Sequence, residues 1–246
     1  QPGESTYTGN YYNNIDTTAA PNTLLGDLRE LIVDTHDTYT SYSDCGGGSS
    51  KLAKTDFDPN NKSNILLFYS RKSVGNSSSN FNREHVWPKS TGLWETSGGG
   101  ADMHHIRPTV SGINGARGNK KYGVVANRDS YQKKFTINGS SVLAGYTNGN
   151  DSDSSAFFEP IKEKKGDVAR IVLYVYAHYN NSDSSIFGNY AKVSESIFSS
   201  NLSITNVVAG TNSEALSMLV EWNKIDPVDD IERRRNDAVA VYQGNR

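Results

Sequence analysis

Glu84 and His85 stand side by side in the run Asn82-Arg83-Glu84-His85-Val86-Trp87-Pro88, and this stretch offers three kinds of chemistry at once. A Glu84 carboxylate can ligate a hard divalent cation, a His85 imidazole can accept a proton near neutral pH, and an Arg83 guanidinium can hold a phosphate through two parallel hydrogen bonds. Neighbouring side chains on a regular strand point to opposite faces, so the backbone must bend for Glu84 and His85 to address one bound group. Pro88 and Gly92 predict that the regular strand ends close by.

A second block, Asp102-Met103-His104-His105-Ile106-Arg107-Pro108, leads through Ser111-Gly112 into Ile113-Asn114-Gly115-Ala116-Arg117-Gly118-Asn119. Its alternation of Gly, Asn and Arg predicts a turn feeding a short helix that approaches a ligand with little side-chain bulk. Read alone, the block favours hydrogen-bonded core histidines with Asn114 as a cap; the first block beside it makes it the other half of a site. His36 and His178 read as surface or helix C-terminal residues, and Trp87 as a core or hairpin anchor, with Trp94 able to stack on a base.

These residues need a scaffold, and the surrounding pattern predicts an α+β one. Helical spacing runs from a cap at Asn22 or Thr23 through Leu24, Leu28, Leu31 and Ile32, and again from Ser213 through Leu216, Leu219 and Trp222. Val168 to Tyr176 is apolar almost all round, which suits a helix in the centre of the molecule, with a strand as the alternative. A last helix is expected from Asp226-Pro227, with Asp229–Arg233 and Asp230–Arg234 pairs on its exposed face. For Arg170 a buried ion pair is expected at least as readily as a phosphate contact. Strand signals lie at Ile65 to Tyr69, at Phe81 to Val86, and at Phe135 to Ile137 before an Asn138-Gly139 turn to Val142 and Leu143. No linker or repeat divides the chain, so residues 1–246 read as one domain.

Composition removes several function classes. The 25 basic and 27 acidic residues leave a net charge of −2, so a polyanion must meet a local patch, not the whole surface. No run of 18 apolar residues exists to span a bilayer, and mean hydropathy is −0.62. The lone Cys45 supports neither an internal disulfide nor a zinc spacing. The aromatic fraction of 10% is too high for a disordered chain.

Arg83-Glu84-His85-Val86-Trp87-Pro88, then Asp102-Met103-His104-His105-Ile106-Arg107-Pro108 and Asn114-Gly115-x-Arg117-x-Asn119, resemble the bacterial endonuclease I family within the His-Me finger (ββα-metal) nucleases. Phe158-Glu159-Pro160, Lys165-Gly166-Asp167-Val168-Ala169-Arg170, Trp222, Asp226-Pro227, Glu232, Arg235-Asn236 and Gln243-Gly244-Asn245-Arg246 match later blocks in order. The resemblance runs from about Tyr11 to Arg246, where the family block continues, which implies a trimmed C-terminus. It implies a single mixed domain with a ββα-metal motif. It also implies His85 as general base and one Mg²⁺, with Mn²⁺ or Ca²⁺ as alternatives, held by Glu84 and Asn114, an oxygen donor pair that suits a hard ion. Arg83, Arg107 and Arg117 are the expected phosphate contacts, with Lys120 and Lys121 more plausible as ordinary surface charge.

The expected activity is nonspecific, metal-dependent hydrolysis of DNA, with RNA as a further substrate, leaving 5′-phosphate and 3′-hydroxyl ends. No membrane partner is expected, secretion is the expected destination, and the oligomeric state stays open. Two alternatives stand beside it: a zinc metallohydrolase using His85, His104 and His105, and a noncatalytic polysaccharide-binding module with a Tyr- and Asn-rich surface.

Overall fold

In the computed structural model of this protein, residues 9–46, 50–93, 98–150, 152–153, 155–180 and 202–246 are described. Helix α1 (Pro21–Thr35) starts one residue before the expected caps, because Pro21 supplies a preset φ at its first turn and Ala20 makes no side-chain cap. Its Arg29 donates to the carbonyl of Ala177 at 2.6 Å, docking α1 on the last turn of a central helix where helix carbonyls lack partners. That central helix, α4 (Lys165–Tyr179), buries Val168, Ala169, Ile171, Val172, Val175 and Tyr179, and is helical, not extended.

Between them lie α2 (Lys51–Thr55) and α3 (Ser111–Arg117), and after them α5 (Ile204–Val207), α6 (Asn212–Ile225) and α7 (Asp230–Gln243). A capping box at Thr211 and Glu214 starts α6. α7 begins at Asp230 and not at Pro227, because the Asp229 carboxylate accepts the Glu232 amide at 2.9 Å and fixes the first turn there. The expected Asp229–Arg233 and Asp230–Arg234 pairs give way to Asp230–Arg233 at 2.8 Å, while Arg234 turns inward over the ring of Phe57. Arg170 pairs with Glu232 at 2.6 Å.

Nine strands, β1 (Phe57–Asp58), β2 (Asn61–Leu66), β3 (Ser73–Gly75), β4 (Asn82–His85), β5 (Ile106–Thr109), β6 (Lys121–Tyr122), β7 (Gln132–Ile137), β8 (Ser140–Thr147) and β9 (Phe157–Pro160), form three sheets among the described residues. The orders are β1-β2-β3, β4-β5 and β6-β9-β8-β7, with β6–β9 the parallel pair. Asn138 and Gly139 both adopt positive φ, at 51° and 75°, which is what a two-residue hairpin between β7 and β8 requires. A buried apolar cluster from Val33 through Leu67, Trp87, Val172 and Trp222 to Val239 joins the sheets to the helices. The architecture is mixed helix and sheet, as the patterning predicts.

Candidate active site

β4 pairs antiparallel with β5, setting Glu84 opposite Arg107 and His85 opposite Ile106. One residue after β5, α3 begins, and it lays Asn114 against β4. The Asn114 Nδ2 donates to the carbonyl of Arg83 at 3.0 Å and to Asn82 Oδ1 at 3.1 Å. Both partners are acceptors, so the amide is fixed with its nitrogen toward the strand and Oδ1 as its uncommitted atom. Glu84, His85 and Asn114 line one cavity of about 290 Å³, together with Arg83, Lys89 and Arg117. Among the described residues Glu84 is the only carboxylate on that wall, which it shares with Arg83, Lys89 and Arg117, so these residues leave the wall locally positive on a chain of negative net charge.

Glu84 is 1% exposed. Its Oε1 accepts the Tyr69 hydroxyl at 2.7 Å and lies 3.5 Å from Arg117 Nε. The Tyr122 hydroxyl donates to the Val86 carbonyl at 3.1 Å and lies 2.6 Å from the Tyr69 hydroxyl, whose own proton goes to Glu84. Both interactions fall on Oε1, and Oε2 receives none among the described residues. Burial pushes the Glu84 carboxyl up to about 7, against the pull of Arg117 and the Tyr69 hydroxyl.

His85 Nε2 lies 3.1 Å from the carbonyl oxygen of Gly100. A carbonyl only accepts, so Nε2 carries the hydrogen and the imidazole lone pair is assigned to Nδ1. The ring stacks on Tyr42, with centroids 5.8 Å apart. Gly100 belongs to a tight turn, Gly98–Ala101, whose Gly99 carbonyl accepts from His105 Nε2 at 2.6 Å. A Cβ on Gly99 would stand 2.7 Å from a Leu93 methyl and 3.2 Å from the Tyr179 ring, so a larger residue there would have to displace Leu93 for this turn to close onto the core. Asp102 then anchors it: Oδ1 accepts from the His104 amide at 2.7 Å and from Gln243 at 2.9 Å, and Oδ2 from the Tyr174 and Tyr179 hydroxyls at 2.6 and 2.7 Å. The carboxylate thus ties the turn that holds His85 to α4 and α7.

Two of the three expected phosphate contacts, Arg83, Arg107 and Arg117, change here. Arg117 is 1% exposed and spends Nη1 on the Gly118 carbonyl and Nη2 on that of Val86, so it positions Glu84 and is not placed to take a phosphate. Arg107 is absent from the cavity wall; it is 6% exposed and lies over Phe68 in a different pocket. Of the three, Arg83 remains at the cavity, its guanidinium 3.7 Å from the Tyr42 ring with Nη1 on the Tyr42 carbonyl. Lys120 is also buried, its Nζ donating to the Ala116 carbonyl.

His36 and His178 are not surface residues. Both are buried, 2.7 Å apart through ring nitrogens, and with Asp102 they form the metal-competent His/Asp/His group among the described residues, with ligand atoms within 4.8 Å. Its Asp102 already accepts four hydrogen bonds. The histidines of the zinc alternative do not converge: His104 Nε2 lies 3.2 Å from the Asn245 carbonyl and His105 Nε2 on that of Gly99. Trp87 is a core anchor bonded to the Thr91 carbonyl, and Trp94 lies outside the described residues. The sequence reading missed Tyr69 and Gly100; Tyr69 sits in an apolar run that signals only core, and a backbone carbonyl has no side-chain signature.

A family model described as Endonuclease I matches residues 21–246. An extracellular ribonuclease of Bacillus subtilis (strain 168) is 36% identical over 220 residues, 85% of this chain and 65% of that protein. An extracellular ribonuclease of Bacillus amyloliquefaciens is 34% identical over 250 residues, 97% of this chain and 74% of that protein.

Proposed function

This chain belongs to the endonuclease I family, and on that premise we propose that it is a metal-dependent endonuclease that hydrolyses phosphodiester bonds in RNA and DNA without reading sequence. The observation that carries the reading is the meeting of Glu84, His85 and Asn114 on one cavity wall from β4 and α3. The strand pair β4–β5 followed by α3 is read as the ββα unit of a His-Me finger, and the described residues as parts of one domain.

The donor set fits a hard divalent ion. Glu84 Oε2 and Asn114 Oδ1 are oxygens without a protein partner among the described residues, and a single carboxylate suits one ion and not two. Mg²⁺, with Mn²⁺ or Ca²⁺ as alternatives, would supply positive charge against the phosphate and the departing 3′ oxygen when bound. His85, with Nε2–H committed to Gly100, presents Nδ1 as the base. It takes a proton from the water that attacks phosphorus; the P–O3′ bond breaks, leaving a 5′-phosphate and a 3′-hydroxyl whose proton comes from solvent. Arg83, at the rim and stacked on Tyr42, contacts a backbone phosphate, which gives affinity without sequence selection.

RNA as a substrate rests on the names of the two relatives, and export on the word extracellular in both. No helix among the described residues is long and apolar enough to cross a membrane. The test incubates the protein with plasmid DNA and with RNA, with Mg²⁺ or with chelator. Both polymers should be cut only with the cation, and His85→Ala should lose about 10²-fold or more in kcat with its fold intact. Near-full activity in His85→Ala removes the proposal.

A further inference from the structure

A second charged pocket, of about 310 Å³, lies between β1, β2, β5 and α7 and shares no lining residue with the cavity of Glu84 and His85. Arginines and a lysine line it together with four carboxylates, and nearly every charge can be matched. Asp56 Oδ1 accepts from Arg235 Nε at 2.8 Å, Asp167 pairs with Lys164 at 3.0 Å, and Glu232 pairs with Arg170. Asp58 turns one oxygen to the Asn60 amide at 2.9 Å, and Arg71 reaches outward to Asp229.

What is left over is two guanidiniums against the one carboxylate, Asp58, that has no cation partner among the described residues. Arg234 is 7% exposed, and its Nε, Nη1 and Nη2 are all buried without a hydrogen-bond partner among the described residues. Arg107 is as buried, its Nε equally unpartnered and its Nη1 no closer than 3.9 Å to the oxygen that Arg235 already holds. Each guanidinium has an aromatic ring against it, Phe57 at 4.3 Å and Phe68 at 5.2 Å. A ring can satisfy the face of a guanidinium, but its N–H groups lie in the plane and need acceptors there. Leaving such donors buried and unpaired is costly, and planar N–H forks match the oxygens of a tetrahedral oxyanion.

We propose that this pocket is an oxyanion site that seats a phosphate group on Arg234 and Arg107, separate from the site where the polynucleotide would be cut. The group is that of inorganic phosphate or of a nucleoside 5′-monophosphate. Asn60 and Arg71 among its lining residues are exposed, so the pocket opens to solvent on that side. An occupant also bears on the catalytic strand pair, because Arg107 is the register partner of Glu84, and Arg235 Nη2 donates to the carbonyl of Ile106, the register partner of His85.

The test follows thermal unfolding of the whole protein with chelator present, at constant ionic strength, titrating inorganic phosphate in one arm and a nucleoside 5′-monophosphate in the other. At concentrations several-fold above its Kd the ligand should raise Tm by about 2–4 °C. His85→Ala should keep that rise, which separates this site from the cavity of the proposed nuclease. Arg234→Met, which keeps the packing on Phe57, should weaken binding about tenfold or more. Should Arg234→Met fail to fold, Arg234→Lys keeps the charge and loses the fork, and the same loss is read by ³¹P line broadening of the titrated phosphate. A rise with both ligands identifies the phosphate group as the recognised element, and a rise with inorganic phosphate alone identifies the free ion. No rise with either ligand, or an equal response in wild type and the Arg234 variants, overturns the proposal.

Discussion

Replacing Asp102 by Asn tests whether the turn that holds His85 depends on a single buried carboxylate. Four donors converge on its two oxygens, at 2.6–2.9 Å, from the His104 amide, Gln243, Tyr174 and Tyr179. An asparagine offers one acceptor oxygen, and its NH₂ would face donors on the other side. At best two of the four bonds survive, and each lost bond to a charged acceptor is worth about 1.5–3 kcal/mol, so Asp102→Asn should cost about 3–6 kcal/mol. That is a large share of the roughly 5–15 kcal/mol by which a folded protein is stable. Burial alone would raise the Asp102 carboxyl, but His104, His36, His178 and the Tyr174 hydroxyl hold it well below the usual carboxylate range. A depressed folded-state value contributes stability above the unfolded value, so the gap between wild type and variant should be full at pH 7 and narrow as pH falls below about 4. Urea unfolding by far-UV circular dichroism, with the midpoint displaced and the m-value unchanged, reads the loss. A difference below about 1 kcal/mol at pH 7 would refute the reasoning.

Acid should destabilise the wild type through its buried histidines before its ordinary carboxylates protonate, while Glu84, already raised to about 7, takes up its proton with the opposite sign. Burial lowers His104 to about 4 and His105 and His178 to about 3, so the unfolded chain binds protons that the folded one refuses. Stability is therefore full above about pH 6.5 and declines below it, by up to about 1.4 kcal/mol per pH unit per histidine, and a Tm that stays flat from pH 7.5 to 5 contradicts this. Tyr69→Phe removes the hydroxyl that orients Glu84; the Mg²⁺ concentration for half-maximal cleavage should rise roughly tenfold with kcat recovered at saturation, and unchanged half-saturation argues against the donor set. Arg83→Ala should raise KM about fivefold or more, spare kcat, and lower the salt dependence of binding by about one phosphate contact; an unaltered salt slope removes Arg83 from the interface.

Much of the scaffold is legible because its signals are local. Leu24, Leu28 and Ile32 repeat at helical spacing and become α1, and Asn138-Gly139 tolerates the positive φ values that join β7 to β8. The start of α7 is misread at Asp226-Pro227, since a proline that favours a first turn competes with an aspartate that caps one, and the Asp229 carboxylate wins through a bond to the Glu232 amide. The objection to adjacent Glu84 and His85 is met without a break in pairing. β4 keeps its register to β5 through both residues, and each still lines the same cavity.

The order and types of the donors, a carboxylate and an imidazole side by side and an amide thirty residues on, belong to the sequence alone, since ligand chemistry is a property of residue type. Which cations face that site does not. Arg83, Arg107 and Arg117 look alike in their blocks, yet one stacks at the rim, one is pressed over Phe68 in another pocket, and one is spent holding Glu84. His36 and His178, 142 positions apart, meet at 2.7 Å in the interior where spacing suggests two surface residues. The reason is physical: periodicity and turn chemistry act within a few residues, whereas a buried charge or ring nitrogen finds its partner wherever the packed chain brings one, and only tertiary structure decides where that is.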